Sequence, residues 1–162
     1  MVRIAIGSDH RGYRLKQGLE TWLREQKIAF QDFGCLEERP VDYPDIAIPV
    51  AQAVVRGEYD LGILIDSTGI GMSIVANKVP GIRAAPCDSI YTARMARENN
   101  DANVLCLGGE VVGPKVAEEI LRTYLDMSFQ GGRHSRRIEK ISAFETRVIR
   151  DAAKKMDKQS EG

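Results

Sequence analysis

A carboxylate stands where an apolar run ends and a glycine-rich turn begins, in LGILIDSTGIGMSIVANK at residues 61–78. Gly69 and Gly71 permit backbone shapes closed to other residues and let a ligand approach the main chain. The N–H groups at the start of the helix that follows point at whatever sits there. The turn is therefore an anion site, suited to a phosphate or to a developing enediolate. It is not a Walker loop, because no Gly-Lys-Ser/Thr follows, and it is not a GxGxxG fingerprint. The alternative is a tight strand-to-helix turn with Ser67 or Thr68 as its N-cap. A second cluster is GGRHSRR, at 131–137, where Arg133, Arg136 and Arg137 surround His134. Each guanidinium offers a planar fork of donors that fits a phosphate monoester. The alternative is a solvated basic turn capping the preceding helix. A third group is Asp9 followed by His10, one of two histidines in the chain. It reads either as an acid/base or phosphate-binding pair, or as a helix cap by Ser8 or Asp9 with His10 a bystander. Tyr43, in VDYPD, is a site candidate or simply a helix-entry residue.

The elements that must position these residues alternate in type. Strands are expected at 3–8, 28–33, 61–65, 81–85 and 104–107. Amphipathic helices are expected at 13–25, 45–56, 71–77, 89–98 and 115–126. In the first helix Leu15, Leu19, Trp22 and Leu23 share a face, and in the second Ile46, Ile48, Val50, Ala51 and Val54 do, with Pro44 in its first turn. Five β–α units in succession imply an α/β domain, a parallel five-stranded sheet covered by helices on both faces in a three-layer α/β/α sandwich of Rossmann-like type. Short apolar strands such as GILI fit central strands buried on both sides. In such a sheet ligands bind beyond the C-terminal strand ends. Asp9 and His10, the 66–71 turn, Cys87 with Asp88, and Gly108-Gly109-Glu110 all follow strands there.

After Met127 the chain becomes glycine-rich and basic, and a last helix is expected over about 138–157. Its apolar side (Ile141, Phe144, Val148, Ile149, Ala152) falls outside the five-unit pattern, which points to packing on a neighbouring subunit. The tail DKQSEG is expected to fray. The whole reads as one domain over 1–162, its core at about 3–145. With 162 residues, 43% hydrophobic and 28% charged, the chain has room for a full core. Lys plus Arg and Asp plus Glu number 23 each, so the basic excess of a nucleic-acid binder is missing. No apolar run approaches the ~18–20 residues of a membrane span, and MVRIAIGS lacks a signal-peptide layout. Three cysteines, widely spaced and without metal-ligand spacing, fit reduced thiols and a cytoplasmic protein.

Taken together, these segments resemble ribose-5-phosphate isomerase type B and the galactose-6-phosphate isomerase subunits. The resemblance rests on IAIGSDHRGYRLK (4–16), VDYPDIA (41–47), GILIDSTGIGMSIVANKVPGIRAA (62–85), YTARMARENNDANVLCLGGEVVG (91–113) and GGRHSRRIEKI (131–141). It implies dimers, often paired into tetramers, with the active site shared between subunits. It also implies interconversion of aldose and ketose phosphates through a cis-enediolate, with no metal and no organic cofactor. Carried over residue by residue, His10, Arg133 and Arg137 hold the phosphate, and Asp9 and Tyr43 contact the sugar. Ser67, Thr68, Gly69, Ile70 and Gly71 form the enediolate's anion hole, with Thr68 and Asp66 in the catalytic group. Asn100 reaches in from the partner subunit.

The departures from the family pattern fall on chemistry. The usual type B base is a cysteine where this chain has Asp66, and the usual ring-opening histidine stands where it has Asn99. An arginine is common where it has Glu110. Some relatives place a glutamate base six residues after the cysteine position, but here that residue is Met72. A carboxylate can remove a proton beside a carbonyl, as the glutamate of triosephosphate isomerase does. Asparagine cannot transfer protons near neutrality. The A subunit of galactose-6-phosphate isomerase is similar in carrying Asp at the base position and Glu near 110, and it works with a B subunit that carries the cysteine. Two readings follow. One is an isomerase with Asp66 as base and Asn99 in the histidine's place. The other is a weak or silent sugar-phosphate-binding subunit that needs a cysteine-bearing paralogue.

Overall fold

The computed structural model describes residues 2–160, with side chains to Asp157. Its elements are β1 (Arg3–Ser8), α1 (Tyr13–Glu25), β2 (Ala29–Asp32), α2 (Tyr43–Val55), β3 (Leu61–Asp66), α3 (Ile70–Ala76), β4 (Ala84–Pro86), α4 (Ile90–Asn100), β5 (Val104–Gly108), α5 (Pro114–Asp126) and α6 (Arg133–Ser160). They form two compact units, the first ending at Phe129 and the second beginning at Gln130.

In the first unit all five strands pair in parallel, in the order β2-β1-β3-β5-β4. Side chains alternate across a strand, and the two faces sort cleanly. Ile4 and Ile6 of β1, Ile63 and Ile65 of β3, and Leu105 and Leu107 of β5 pack with α1, α4 and α5. Ala5, Leu64, Val104 and Cys106 point the other way, onto Val50, Ala51 and Val54 of α2 and Met72 and Ala76 of α3. Every residue of β3 and β5 is buried, as central parallel strands require.

Several boundaries differ from the sequence expectation. β4 begins at Ala84, since Gly81 adopts φ 88° and the 79–82 segment closes as a turn, with Ile82 N–H donating to Val79 O. Within α2, Ile48 is exposed, and Ala47 and Ala53 take core positions instead. The second unit corrects the largest miss. The basic segment is not a turn: α6 already begins at Arg133. Gly131 (φ 65°) and Gly132 (φ 57°) turn the chain, and their carbonyls accept from His134 and Ser135 N–H, closing the first helical turn there. Ile141, Phe144, Val148 and Ile149 are exposed on this helix. The expected frayed tail is helical through Ser160, and Glu161 and Gly162 lie outside the described residues. Among the described residues no helix is long and apolar enough to cross a membrane.

Glycines set how closely the strand-end loops approach. A Cβ on Gly12 would lie 2.4 Å from Ile65 O, and one on Gly109 would lie 2.8 Å from Arg11 O. By contrast, a Cβ on Gly18, inside α1, meets nothing within 4 Å. Urea unfolding should therefore give opposite signs. Gly12→Ala destabilises by about 1–3 kcal/mol, through backbone displacement, and Gly18→Ala stabilises by about 0.5–1 kcal/mol, through helix propensity.

Candidate active site

The chain leaves β1 for α1 on one face of the sheet and leaves β3 for α3 on the other. A crevice opens where neighbouring strands send their loops apart, and that is where ligands bind in open α/β sheets. Asp66 ends β3 in the same parity as Leu64, so its side chain points toward the α2/α3 layer. There it organises the turn. Oδ1 accepts from Thr68 N–H at 2.8 Å and from Gly69 N–H, and Oδ2 accepts from Met72 N–H at 2.9 Å. Gly69 makes this wrap possible, at φ 81° and with the β5 backbone 3.2 Å from where a Cβ would stand. Of the roughly four lone-pair positions of a carboxylate, three are occupied. The remaining one belongs to Oδ2. A Cβ on Gly71 would lie 3.0 Å from that oxygen and 3.2 Å from the Tyr43 ring. A side chain at 71 would press on both the carboxylate and the phenol ring.

Asp9 lies across the crevice, joined to β3 by its N–H donating to Ile65 O at 3.0 Å. Its Oδ1 accepts from Arg11 N–H (2.9 Å) and Gly12 N–H (3.0 Å), so Asp9 holds the β1–α1 turn, while the N-cap of α1 is Gly12, without a side-chain cap. Its Oδ2 has no hydrogen bond among the described residues. Burial, first, and then the nearby charge of Asp66 raise the pKa of Asp9, against the pull of its two N–H donors and of His10. His10 Nδ1 accepts from Val41 N–H at 3.4 Å, linking it to the segment that leads into Tyr43. Its Nε2 has no hydrogen bond among the described residues. His10 lines a cleft of about 480 Å³ with Arg11, Arg14, Glu38, Gly109 and Glu110. Glu110, which stands where the resemblance places an arginine, instead accepts from Arg11 Nε at 2.8 Å. This half-exposed pair joins the β1–α1 and β5–α5 loops.

Other candidates go elsewhere. Thr68 and Ile70 line a separate cleft of about 460 Å³ with Cys87, Asp88, Thr92 and Val111. The anion hole is smaller than the five amides expected from sequence. Thr68 and Gly69 N–H serve Asp66, and Ile70 N–H donates to Thr68 Oγ1 at 3.2 Å. Of the five turn amides, those of Ser67 and Gly71 have no hydrogen bond among the described residues. Asn99 and Asn100 end α4, which runs back from the C-terminal strand edge. They therefore lie at the opposite edge of the sheet from Asp66, where Asn100 O accepts from Arg83 Nε and Asn99 Nδ2 contacts Met95 Sδ. In the second unit, Arg133 and Arg137 stand one turn apart on the same face of α6. No thiol stands in for the missing cysteine. Burial pushes Cys87 up to about 11 and raises Cys35 and Cys106, and all three are buried.

Two positioning features escaped the sequence reading. Lys16, buried in α1, donates to both Asp32 oxygens at 2.6 Å and to Cys35 O at 2.7 Å, and so ties down the loop after β2. A lysine on a helix face gives no sign of burial until its partners are known. Gly12 was the other, and the contact it must make with Ile65 is set by tertiary structure alone.

Residues 4–141 match the model of the family described as Ribose/Galactose Isomerase. The chain belongs to the ribose/galactose isomerase family. It is 49% identical over 138 residues to ribose-5-P isomerase B of Listeria innocua, covering 85% of this chain and 93% of that one. It is 43% identical to D-erythrulose-4-phosphate isomerase of Pectobacterium atrosepticum, covering 90% and 96%. Among solved structures, ribose-5-phosphate isomerase B of Clostridium thermocellum superposes with a TM-score of 0.89 at 51% identity, covering 90% and 99%.

The raised pKa of Asp9 has a consequence for stability. A group that holds its proton more tightly folded than unfolded favours the native state at low pH, and that advantage is lost as pH rises from the ordinary value of 3.8 through the raised native value. Asp9→Asn keeps the Oδ1 cap and removes the titration. Melting curves should show the variant gaining stability relative to the parent as pH rises through that window, with the difference level above it.

Proposed function

We propose that the chain isomerises a sugar phosphate between aldose and ketose, with Asp66 as the base that carries a proton between C1 and C2. The observation that supports this reading is that Asp66 Oδ2 accepts one N–H bond, from Met72, where Oδ1 accepts two, and that it stands beside Gly71, next to Tyr43. In an open-chain aldose phosphate, that oxygen takes the C2 proton. The electron pair forms the C1=C2 bond, and charge develops on the carbonyl oxygen, where the Ser67 and Gly71 N–H groups stabilise it. Tyr43 and Asp9 orient the sugar, and His10 favours the phosphate end. Arg133 and Arg137, spaced for one helix face, make the fork pair a phosphate monoester prefers. Relatives are named for ribose 5-phosphate and for D-erythrulose 4-phosphate, so the proposed substrate is a short-chain sugar phosphate of this class.

The active form is an assembly, with Asn99 and Asn100 supplied by a second chain, because their own sheet edge lies opposite Asp66. The setting is the cytoplasm, where the three thiols stay reduced. A second reading is favoured by the three N–H bonds that Asp66 accepts. In it the carboxylate is a fixed internal anion that shapes the turn, and the chain is a sugar-phosphate-binding subunit completed by a cysteine-bearing paralogue.

A coupled assay of the purified chain with ribose 5-phosphate and with hexose 6-phosphates, run in both directions, separates the two. Turnover by the chain alone is expected. Turnover only after a cysteine-bearing paralogue is added would establish the second reading instead.

A further inference from the structure

We propose that Asp9 is the second proton carrier of this site, moving a proton between the substrate's two oxygens while Asp66 moves the other between its two carbons. The inference rests on the isomerase reading above. Aldose–ketose exchange relocates two hydrogens, one on carbon and one on oxygen, and a single carboxylate cannot hold both at once. Asn99 can supply no proton, and the thiols of Cys35, Cys87 and Cys106 are buried.

Asp9 meets the requirements by geometry. It leaves β1 beside the end of β3, its N–H bonded to the carbonyl of Ile65, the residue before Asp66. Oδ1 is held by the Arg11 and Gly12 N–H groups, which fixes the carboxyl plane, and Oδ2 is left without a partner among the described residues. The side chain is only 6% exposed. The groups facing it are Asp66, His10 and Cys35; burial, first, and the Asp66 charge raise its pKa, against the pull of the Gly12 and Arg11 N–H groups and of His10. Both carboxyl groups are buried, but Asp66 is held by three N–H donors across both oxygens and Asp9 by two on Oδ1 alone, which leaves Asp9 Oδ2 to serve the substrate's oxygens.

The step balances. As the Asp66 carboxylate takes the proton from C2, the C–H pair becomes the C1=C2 bond. The carbonyl π pair moves to O1, which takes the proton of the Asp9 carboxyl group. Asp9, now a carboxylate, removes the proton from O2. The O2 pair forms the C2=O2 carbonyl, and the C1=C2 pair recovers the Asp66 proton at C1. Both carboxyl groups return to their starting states, and no other reactant is consumed.

Asp9→Asn tests this, because asparagine keeps an Oδ1 acceptor for the Arg11 and Gly12 N–H groups and has no acid proton. Turnover of ribose 5-phosphate and its calorimetric Kd are measured across pH for the full chain and the variant. The expected result is a kcat lower by about 100-fold or more, an essentially unchanged Kd, and loss of the alkaline limb that deprotonation of Asp9 imposes on kcat. A variant with parental kcat and pH profile, or one weakened only in Kd, would overturn the role and leave Asp9 a sugar contact. Absence of turnover in the parent chain with every sugar phosphate offered would overturn the isomerase reading itself, and the proton-carrier role with it. An active parent with an unimpaired variant overturns this role alone.

Discussion

The hydrogen bonds from Thr68, Gly69 and Met72 N–H to one buried carboxylate are what the rest of the site depends on. An unpaired buried carboxylate is costly, and so is the unmet N–H demand at a helix start. Asp66 and the 67–72 turn resolve each other's cost. The turn can close only because Gly69 accepts a left-handed backbone and Gly71 has no side chain to fill the space before Tyr43. From there the chain enters α3, whose Met72 and Ala76 anchor it in the core under α2. The shape of the turn is thus set by how one carboxylate is satisfied.

This arrangement sets two demands against each other. A residue that shapes a turn through every lone pair would be structural and nothing more. A residue that takes a proton needs a lone pair aimed at substrate. Asp66 meets the first with three of its positions, and the proposed base role rests on the fourth. In the proposed reaction the proton on oxygen falls to a neighbour, and Asp9 is the carboxyl group placed across the crevice. The Arg11–Glu110 pair closes the adjoining loops over this crevice, but as a half-exposed ion pair it contributes little to stability. Its value is in fixing where the two loops stand.

Much of this was legible in the residues. The alternation of GILI-type strands with amphipathic helices, with breaks near the observed ones, was enough for a parallel sheet, because period-two and period-3.6 burial are written directly in side-chain type. Asp66, Tyr43, Gly69 and Gly71 could be picked out from the 61–78 and VDYPD segments. Strand order could not, since it depends on which buried faces meet. Nor could the fate of individual amides, which turned on whether Asp66 would fold back onto the turn. The start of α6 was misread because two glycines before a basic cluster look like a loop, whereas here their carbonyls close the first helical turn. Asn99 and Asn100 share a segment of the family pattern with the site but lie at the other sheet edge, a separation that follows from the direction of α4.

The most direct test of Asp66 as the carbon base is deuterium wash-in followed by proton NMR, with ribose 5-phosphate in heavy water. The parent chain should form ribulose 5-phosphate with solvent deuterium at C1, and Asp66→Asn, shown by calorimetry to bind the sugar phosphate still, should form none at a measurable rate. Equal deuterium incorporation by the two proteins would contradict the account and reduce Asp66 to the anion that shapes the turn.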